Sequence, residues 1–158
     1  RNKGLSPQAR GANPNSTESG LMITEYTSAG LCNHIWGLAS PSHLMSLSTD
    51  SGQEDHVSMA ANVAMRAYEA AERLADLFAI ELAFAAQAER VRQNEMGQPH
   101  ALGPATLGKA TQAALKAVDA VFPPIDGDRE VSWDMMQLAE KVLSGEIVKA
   151  TGYGFGRH

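Results

Sequence analysis

The sequence is poor in most of the features that would assign it a chemistry at sight. It has one cysteine, Cys32, which excludes an intrachain disulfide framework and a cysteine-based zinc cluster. No apolar run reaches the roughly 18 residues that a membrane-spanning helix requires. The polar, glycine-containing N-terminus does not read as a signal peptide. No block of like charge stands out, and a net charge of −5 weighs against nucleic acid or an anionic membrane as a partner. There is no glycine-rich phosphate loop and no Gly-x-Ser-x-Gly elbow. His56 has no second histidine at helical spacing, and His34 and His43 are isolated, so no metal site is expected. No strand pattern and no internal repeat emerges.

What is present is a globular composition. Of 158 residues, 44% are apolar and 20% charged, and a compact chain of this length buries roughly 70% of its unfolded surface. The chain opens on Arg1 rather than methionine, so it is expected to begin inside a longer gene product. Residues 1–16 read as loop, punctuated by Gly4, Pro7, Gly11 and Pro14. Residues 17–38 read as a helix from the spacing of Leu21, Met22, Tyr26, Leu31, Ile35 and Trp36. Gly30 and Gly37 weaken it by about 1 kcal/mol each and suggest close contact with another helix. Cys32 reads as a small core residue. Pro41 ends that helix, and a serine-rich loop runs to Gly52.

From Gln53 to about Arg92 there is neither proline nor glycine, and alanine dominates. The expected helix carries a stripe through Val63, Ala67, Leu74, Phe78 and Ala85, with Ala60, Ala64, Ala71, Ala75 and Leu82 beside it. Apolar nearly all round between Leu77 and Ala88, it should be buried on most sides. It would be about 60 Å long, against a radius of gyration of about 15 Å for a lone domain of this size. It should therefore break or belong to a larger bundle. A linker over 96–104 follows, then helices over 105–121 and 133–144. Ser132 is the expected N-cap of the last, Asp134 lies in its first turn and Gly145 ends it. The fold class is all-α with long antiparallel helices.

The candidate chemistry lies in Thr49-Asp50-Ser51-Gly52-Gln53-Glu54-Asp55-His56-Val57-Ser58-Met59. Two readings are open. Ser51 with Glu54 fits a capping box, with Asp55 meeting the helix dipole. Alternatively, a helix start presents a carboxylate to a pocket for acid–base work or ligand binding.

Within this run, Gln53-Glu54-Asp55-His56-Val57-Ser58-Met59 resembles the signature of histidine ammonia-lyases, in the family of aromatic amino acid lyases and aminomutases. Ser19-Gly20-Leu21-Met22-Ile23 resembles the family's Asn-Ser-Gly-x-Met-Ile, and Leu38-Ala39-Ser40-Pro41 its Leu-Ala-x-Pro. Ile80-Glu81-Leu82, Ala85-Ala86-Gln87, Leu107-Gly108-Lys109-Ala110-Thr111, Pro123-Pro124 and Asp128-Arg129 continue the match in order. The chain departs from the histidine lyase pattern at Ser42-His43-Leu44-Met45-Ser46, where Ala-Ser-Val-Asp-Ser is usual, and at Cys32-Asn33-His34-Ile35, where Ser-Glu-Asn-Lys is frequent.

The resemblance implies the C-terminal part of a large helical-bundle enzyme, a cytoplasmic homotetramer. Such an enzyme eliminates ammonia from histidine or a related aromatic α-amino acid to leave an α,β-unsaturated acid. It also implies a methylidene-imidazolone cofactor formed from an Ala-Ser-Gly triplet. That triplet is absent; the nearest strings are Ser28-Ala29-Gly30 and Asp50-Ser51-Gly52. The expected partner is therefore the N-terminal remainder of the enzyme, and this chain alone is expected to be inactive and poorly soluble. By the same resemblance, Glu54 is the catalytic candidate, and Met22, Gln53 and Glu54 are the substrate-binding candidates. An aminomutase of the same family and a non-catalytic helical scaffold are the alternatives.

Overall fold

In the computed structural model, which describes residues 17–95 and 107–154, the regular elements are all helices. They are α1 (Met22–Leu38), α2 (Ala60–Glu95), α3 (Lys109–Asp119), α4 (Ser132–Leu143) and α5 (Glu146–Ala150), with short 3-10 turns at Ser42–Leu44 and Asp50–Gly52. The loop expected over 1–16 and the linker over 96–104 lie outside the described residues, as do the side chain of His43 and the end of the tail.

The long helix does not break. α2 runs 36 residues, about 54 Å, because alanine-rich sequence without proline or glycine costs little to hold in a helix. It does not begin at Gln53, however. Residues 53–59 are non-helical. Their backbone groups bond back into the preceding loop, and Met59 takes a left-handed φ of 50° just before the first turn.

The buried face of α2 is also not the expected stripe. Ala75, Ala79, Ala83 and Ala86 are buried, whereas Val63, Leu74, Phe78 and Ala85 are exposed. Small side chains let α4 approach through Leu138 and Ala139, both buried; Ile80 is buried as well, while Val63, Leu74 and Phe78 are left on the outside.

α1 lies antiparallel to α2. His34 Nε2 sits 2.9 Å from Glu69 Oε1, and Arg66 Nη2 donates to the Gly37 carbonyl at 2.6 Å, so the contacts retreat along α2 as they advance along α1. Although α1 carries many apolar residues, none of its own is buried, and Cys32 is only half-buried rather than a core residue. A methyl group added at Gly30 or Gly37 would meet nothing within 4 Å. Among the described residues, these glycines permit no close approach of another helix.

The core sits at the far half of α2. Leu21, Phe122, Ile125, Leu138 and Ile147 close over the alanine face. Phe122 is fully buried, worth about 2–3 kcal/mol in transfer energy. The guanidinium groups of Arg90 and Arg129 lie 6.0 and 5.6 Å from its ring, within cation–π range. Arg90 also donates to the Phe122 carbonyl at 2.7 Å and pairs with Asp119. The one buried polar side chain among the described residues, Gln87, donates to the Ile125 carbonyl at 2.7 Å and accepts the Ile125 N–H at 3.1 Å. One amide thus satisfies both backbone groups of a buried loop residue.

Beyond Ile125, the Asp128 carboxylate accepts the N–H groups of Ser19 at 3.0 Å and Gly20 at 2.6 Å. Gly20 has a left-handed φ of 55°, a conformation glycine takes without steric cost. The start of α1 is therefore anchored 108 residues along the chain.

The last helices differ from expectation at their ends. Ser132 is not the N-cap of α4. Val131 occupies that position, and the Ser132 N–H donates to Glu130 Oε1 at 2.7 Å. The Ser132 hydroxyl and then its N–H hold the Glu130 carboxyl below the ordinary carboxylate range. Asp134 lies in the first turn and pairs with Arg129 at 2.6 Å. Gly145, at φ 72°, follows α4 and opens α5, a short helix with no forecast in the sequence. Lys141 reaches across to Glu146 at 2.6 Å and lowers its pKa.

Two outcomes are expected. Gln87→Leu leaves the Ile125 N–H and carbonyl buried without partners, a cost of about 2–4 kcal/mol. It should lower the thermal midpoint followed by circular dichroism by about 5–12 °C; an unchanged midpoint refutes the role. Glu130 and Glu146 have folded pKa values below their ordinary 4.5. Their stabilisation is complete above that value and is lost as pH falls through the lower folded values. The midpoint should therefore fall between pH 7 and acid, and the double variant Glu130→Gln, Glu146→Gln should show a shallower fall.

Candidate functional site

The loop that carries the candidate residues leaves α1 at Leu38 and enters α2 at Ala60. Its first part is held by Arg66. That side chain donates to the Gly37 carbonyl, which also accepts the Ser40 N–H at 3.3 Å, and bonds the Ser42 hydroxyl. Beside it an open cleft of about 790 Å³ runs along α2, lined by Ser42, Asn62, Met65, Tyr68, Glu69 and Arg73, among others. None of Met22, Gln53 and Glu54 lines it.

The second part folds on itself. Thr49 and Glu54 exchange backbone hydrogen bonds, the Thr49 N–H donating at 2.8 Å and the Glu54 N–H at 3.2 Å. Between them the Gly52 N–H returns to the Thr49 carbonyl at 3.0 Å and the Gln53 N–H to the Asp50 carbonyl at 3.1 Å. Closing so tight a turn puts Asp50, Ser51 and Gly52 at φ of 49°, 53° and 90°. Two of these are not glycine, and such backbone costs of order 1 kcal/mol or more per residue. A second clamp lies outside the first. The Ser46 hydroxyl accepts the Val57 N–H at 2.8 Å and donates to the Val57 carbonyl at 3.0 Å.

This geometry overturns the capping-box reading. Ser51 lies in the left-handed region inside a 3-10 turn with no side-chain cap, and Glu54 is tied through its backbone, which leaves its carboxylate free of that structural duty. Asp55 precedes the helix by several residues and does not sit in its first turn. The four side chains Gln53, Glu54, Asp55 and His56 are all exposed. Gln53 and Glu54 are therefore presented together on a braced loop. Met22 stands apart from them, half-buried at the first turn of α1, with no hydrogen bond to that loop. Leu21 before it is fully buried, and Asp128 grips the two residues before that.

The bracing residues Ser46, Arg66 and Asp128 have no signal in local sequence. Their partners lie 11, 29 and 108 residues away. Among the described residues no group of three histidine, cysteine or acidic side chains could hold a metal ion, and no helix is long and apolar enough to cross a membrane.

An acid–base or binding site on such a loop works only when other surfaces exclude water from it. Among the described residues nothing covers the Gln53 and Glu54 side chains. The regular structure of the described residues is all-helical. A family model for aromatic amino acid lyases matches residues 1–120. The chain is similar to the histidine ammonia-lyase of Symbiobacterium thermophilum, 39% identical over 132 residues, which cover 84% of this chain and 24% of that protein. It is also similar to that of Gloeobacter violaceus, 34% identical over 139 residues, covering 88% and 25%. Among solved structures, histidine ammonia-lyase from Trypanosoma cruzi matches with a TM-score of 0.76 at 27% identity, over 90% of this chain and 26% of that one. A tyrosine aminomutase matches with a TM-score of 0.79 over 94% of this chain and 26% of its own; at 22% identity that likeness is one of fold.

The chain belongs to the aromatic amino acid lyase family, and its relatives are ammonia-lyases. It spans about a quarter of the length of the curated relatives it matches.

Proposed function

We propose that this chain is the C-terminal portion of a histidine ammonia-lyase-like enzyme and supplies the polar wall of its substrate pocket. The reaction is elimination of ammonia from histidine or a related aromatic α-amino acid, giving an α,β-unsaturated acid. The observation that carries this reading is the loop of residues 46–57. It is clamped at Ser46–Val57 and at Thr49–Glu54, yet holds the Gln53 and Glu54 side chains exposed. A segment strained and braced in this way is organised for the groups at its tip rather than for its own stability.

In this role Glu54 accepts a hydrogen bond from a ring N–H of the substrate or assists proton transfer, as a carboxylate can do in either case. Gln53 is its polar neighbour. Met22, which this chain does not bring to that loop, would line the side-chain end of the pocket in the complete enzyme, where a polarisable thioether suits an aromatic face.

A methylidene-imidazolone would make the substrate amine a leaving group. The residues of this chain do not form one. Ser28-Ala29-Gly30 lies within α1, the Ser28 hydroxyl bonded to the Thr24 carbonyl at 3.0 Å, and Asp50-Ser51-Gly52 is the 3-10 turn. The electrophile and the base that removes the β-proton belong to residues outside this chain. The cytoplasmic homotetramer is part of the same proposal. Association as such is supported by the large apolar side chains left exposed on α1 and the first half of α2, with Tyr26, Trp36, Met65 and Tyr68 each about 70% exposed. A patch of that kind marks an interface.

In the complete enzyme, Glu54→Gln should reduce kcat/KM for histidine by about 100-fold or more, with the circular dichroism spectrum unchanged. The reaction is followed by the near-ultraviolet absorbance of the unsaturated acid. Unchanged kinetics on histidine would remove Glu54 from the site. A β-amino acid product in place of the absorbing acid would make the enzyme an aminomutase.

A further inference from the structure

The clamp between Ser46 and Val57 has no obvious value to the fold. It lies away from the core of Phe122, Leu138 and the α2 alanines, and joins two segments of one surface loop. Its geometry is nevertheless complete. A single hydroxyl replaces both halves of a backbone pair, accepting the Val57 N–H at 2.8 Å and donating to the Val57 carbonyl at 3.0 Å. The ten residues it encloses include the Thr49–Glu54 pair, the three left-handed residues at 50–52, and Gln53 through His56.

Left-handed backbone at Asp50 and Ser51 relaxes unless something over-determines it. The inner pair alone fixes the turn but leaves its attachment free to swing. The outer clamp sits only three residues from Glu54, on the side that runs into α2. It sets the direction in which residues 54–57 leave the turn, and with it the direction in which the Glu54 carboxylate is presented.

We propose that Ser46 is a positioning residue for Glu54, its hydroxyl holding the loop in the one orientation that aims the carboxylate at the substrate. The inference rests on the role proposed above for Glu54. Side chains that act on substrate must be held to within about 0.5 Å, and a displacement of about 1 Å can cost 100-fold in rate. Loss of one clamp is expected to be felt at Glu54 and hardly at all in global stability.

The test uses the complete enzyme and an isosteric pair at one position. Ser46→Thr keeps the hydroxyl; Ser46→Val has the same shape without it. Ser46→Val should lower kcat/KM for histidine about 10-fold or more, while Ser46→Thr stays within about 3-fold of the parent. Both should unfold at the parent's temperature to within about 2 °C. The decisive arm repeats the pair on Glu54→Gln. If Ser46 acts through Glu54, Ser46→Val and Ser46→Thr become equal there to within about 2-fold, because the group being positioned has already gone. Equal activity of the two variants in the parent background overturns the proposal. So does a defect of Ser46→Val that persists undiminished beside Glu54→Gln, which would make Ser46 a general support of the loop. If Glu54→Gln alone leaves kcat/KM unchanged, the reading of Glu54 fails first, and that result is separate from either of these.

Discussion

The rest of the structure depends on one buried amide. Gln87 lies on the alanine face of α2, where a polar side chain would ordinarily cost stability. It is tolerated because the extended stretch after α3 brings Ile125 against it and offers an N–H and a carbonyl in register. With that pair made, Phe122 is carried into the core between Arg90 and Arg129. Asp128 then arrives where it can grip the backbone of Ser19 and Gly20. The start of α1 is thus tied to α2 through the loop of residues 122–128, held at one end by Gln87 and at the other by Asp128. Buried polar contacts of this kind specify one arrangement because every alternative leaves a group unsatisfied.

The two halves of the chain stand in different conditions. Around the second half of α2 the apolar residues find partners in α3, α4 and α5. Around α1 and the first half of α2, many of the described apolar residues stay exposed. The loop bearing Gln53 and Glu54 belongs to this second, open half. On the proposed function, site and interface would coincide there, and bracing by Ser46 and Arg66 would reduce the ordering cost of assembly.

Much of this was legible in the residues. The all-helical class followed from periodicity and from the lack of any strand pattern. The unbroken length of α2 followed from alanine without glycine or proline. The family followed from Gln53-Glu54-Asp55-His56-Val57-Ser58-Met59. Local sequence misleads at several points beyond Cys32 and the capping box, three of them for definable reasons. α2 was expected to start at Gln53 because nothing local forbids a helix there; the competing bonds come from Ser46 and Thr49, across a turn. The buried stripe was placed on Val63, Leu74 and Phe78 because hydropathy ranks them above alanine, whereas close packing against α4 selects the small side chains. Ser132 was read as an N-cap because its residue type favours that position, but Glu130, two residues earlier, supplies the acceptor.

By itself, the sequence determined what each segment is able to become. Backbone propensity and apolar spacing are properties of neighbouring residues, and they suffice for helices, their lengths and their amphipathic character. It also determined which chemical groups are available, Glu54 and Gln53 among them. Only the tertiary structure decided which face of α2 is covered, where that helix begins, and that the Glu54 carboxylate is left free by a backbone pair with Thr49. Those outcomes turn on hydrogen bonds and packing across turns and between helices, beyond the reach of neighbouring-residue propensity. Their energies appear only once the partners have been brought together.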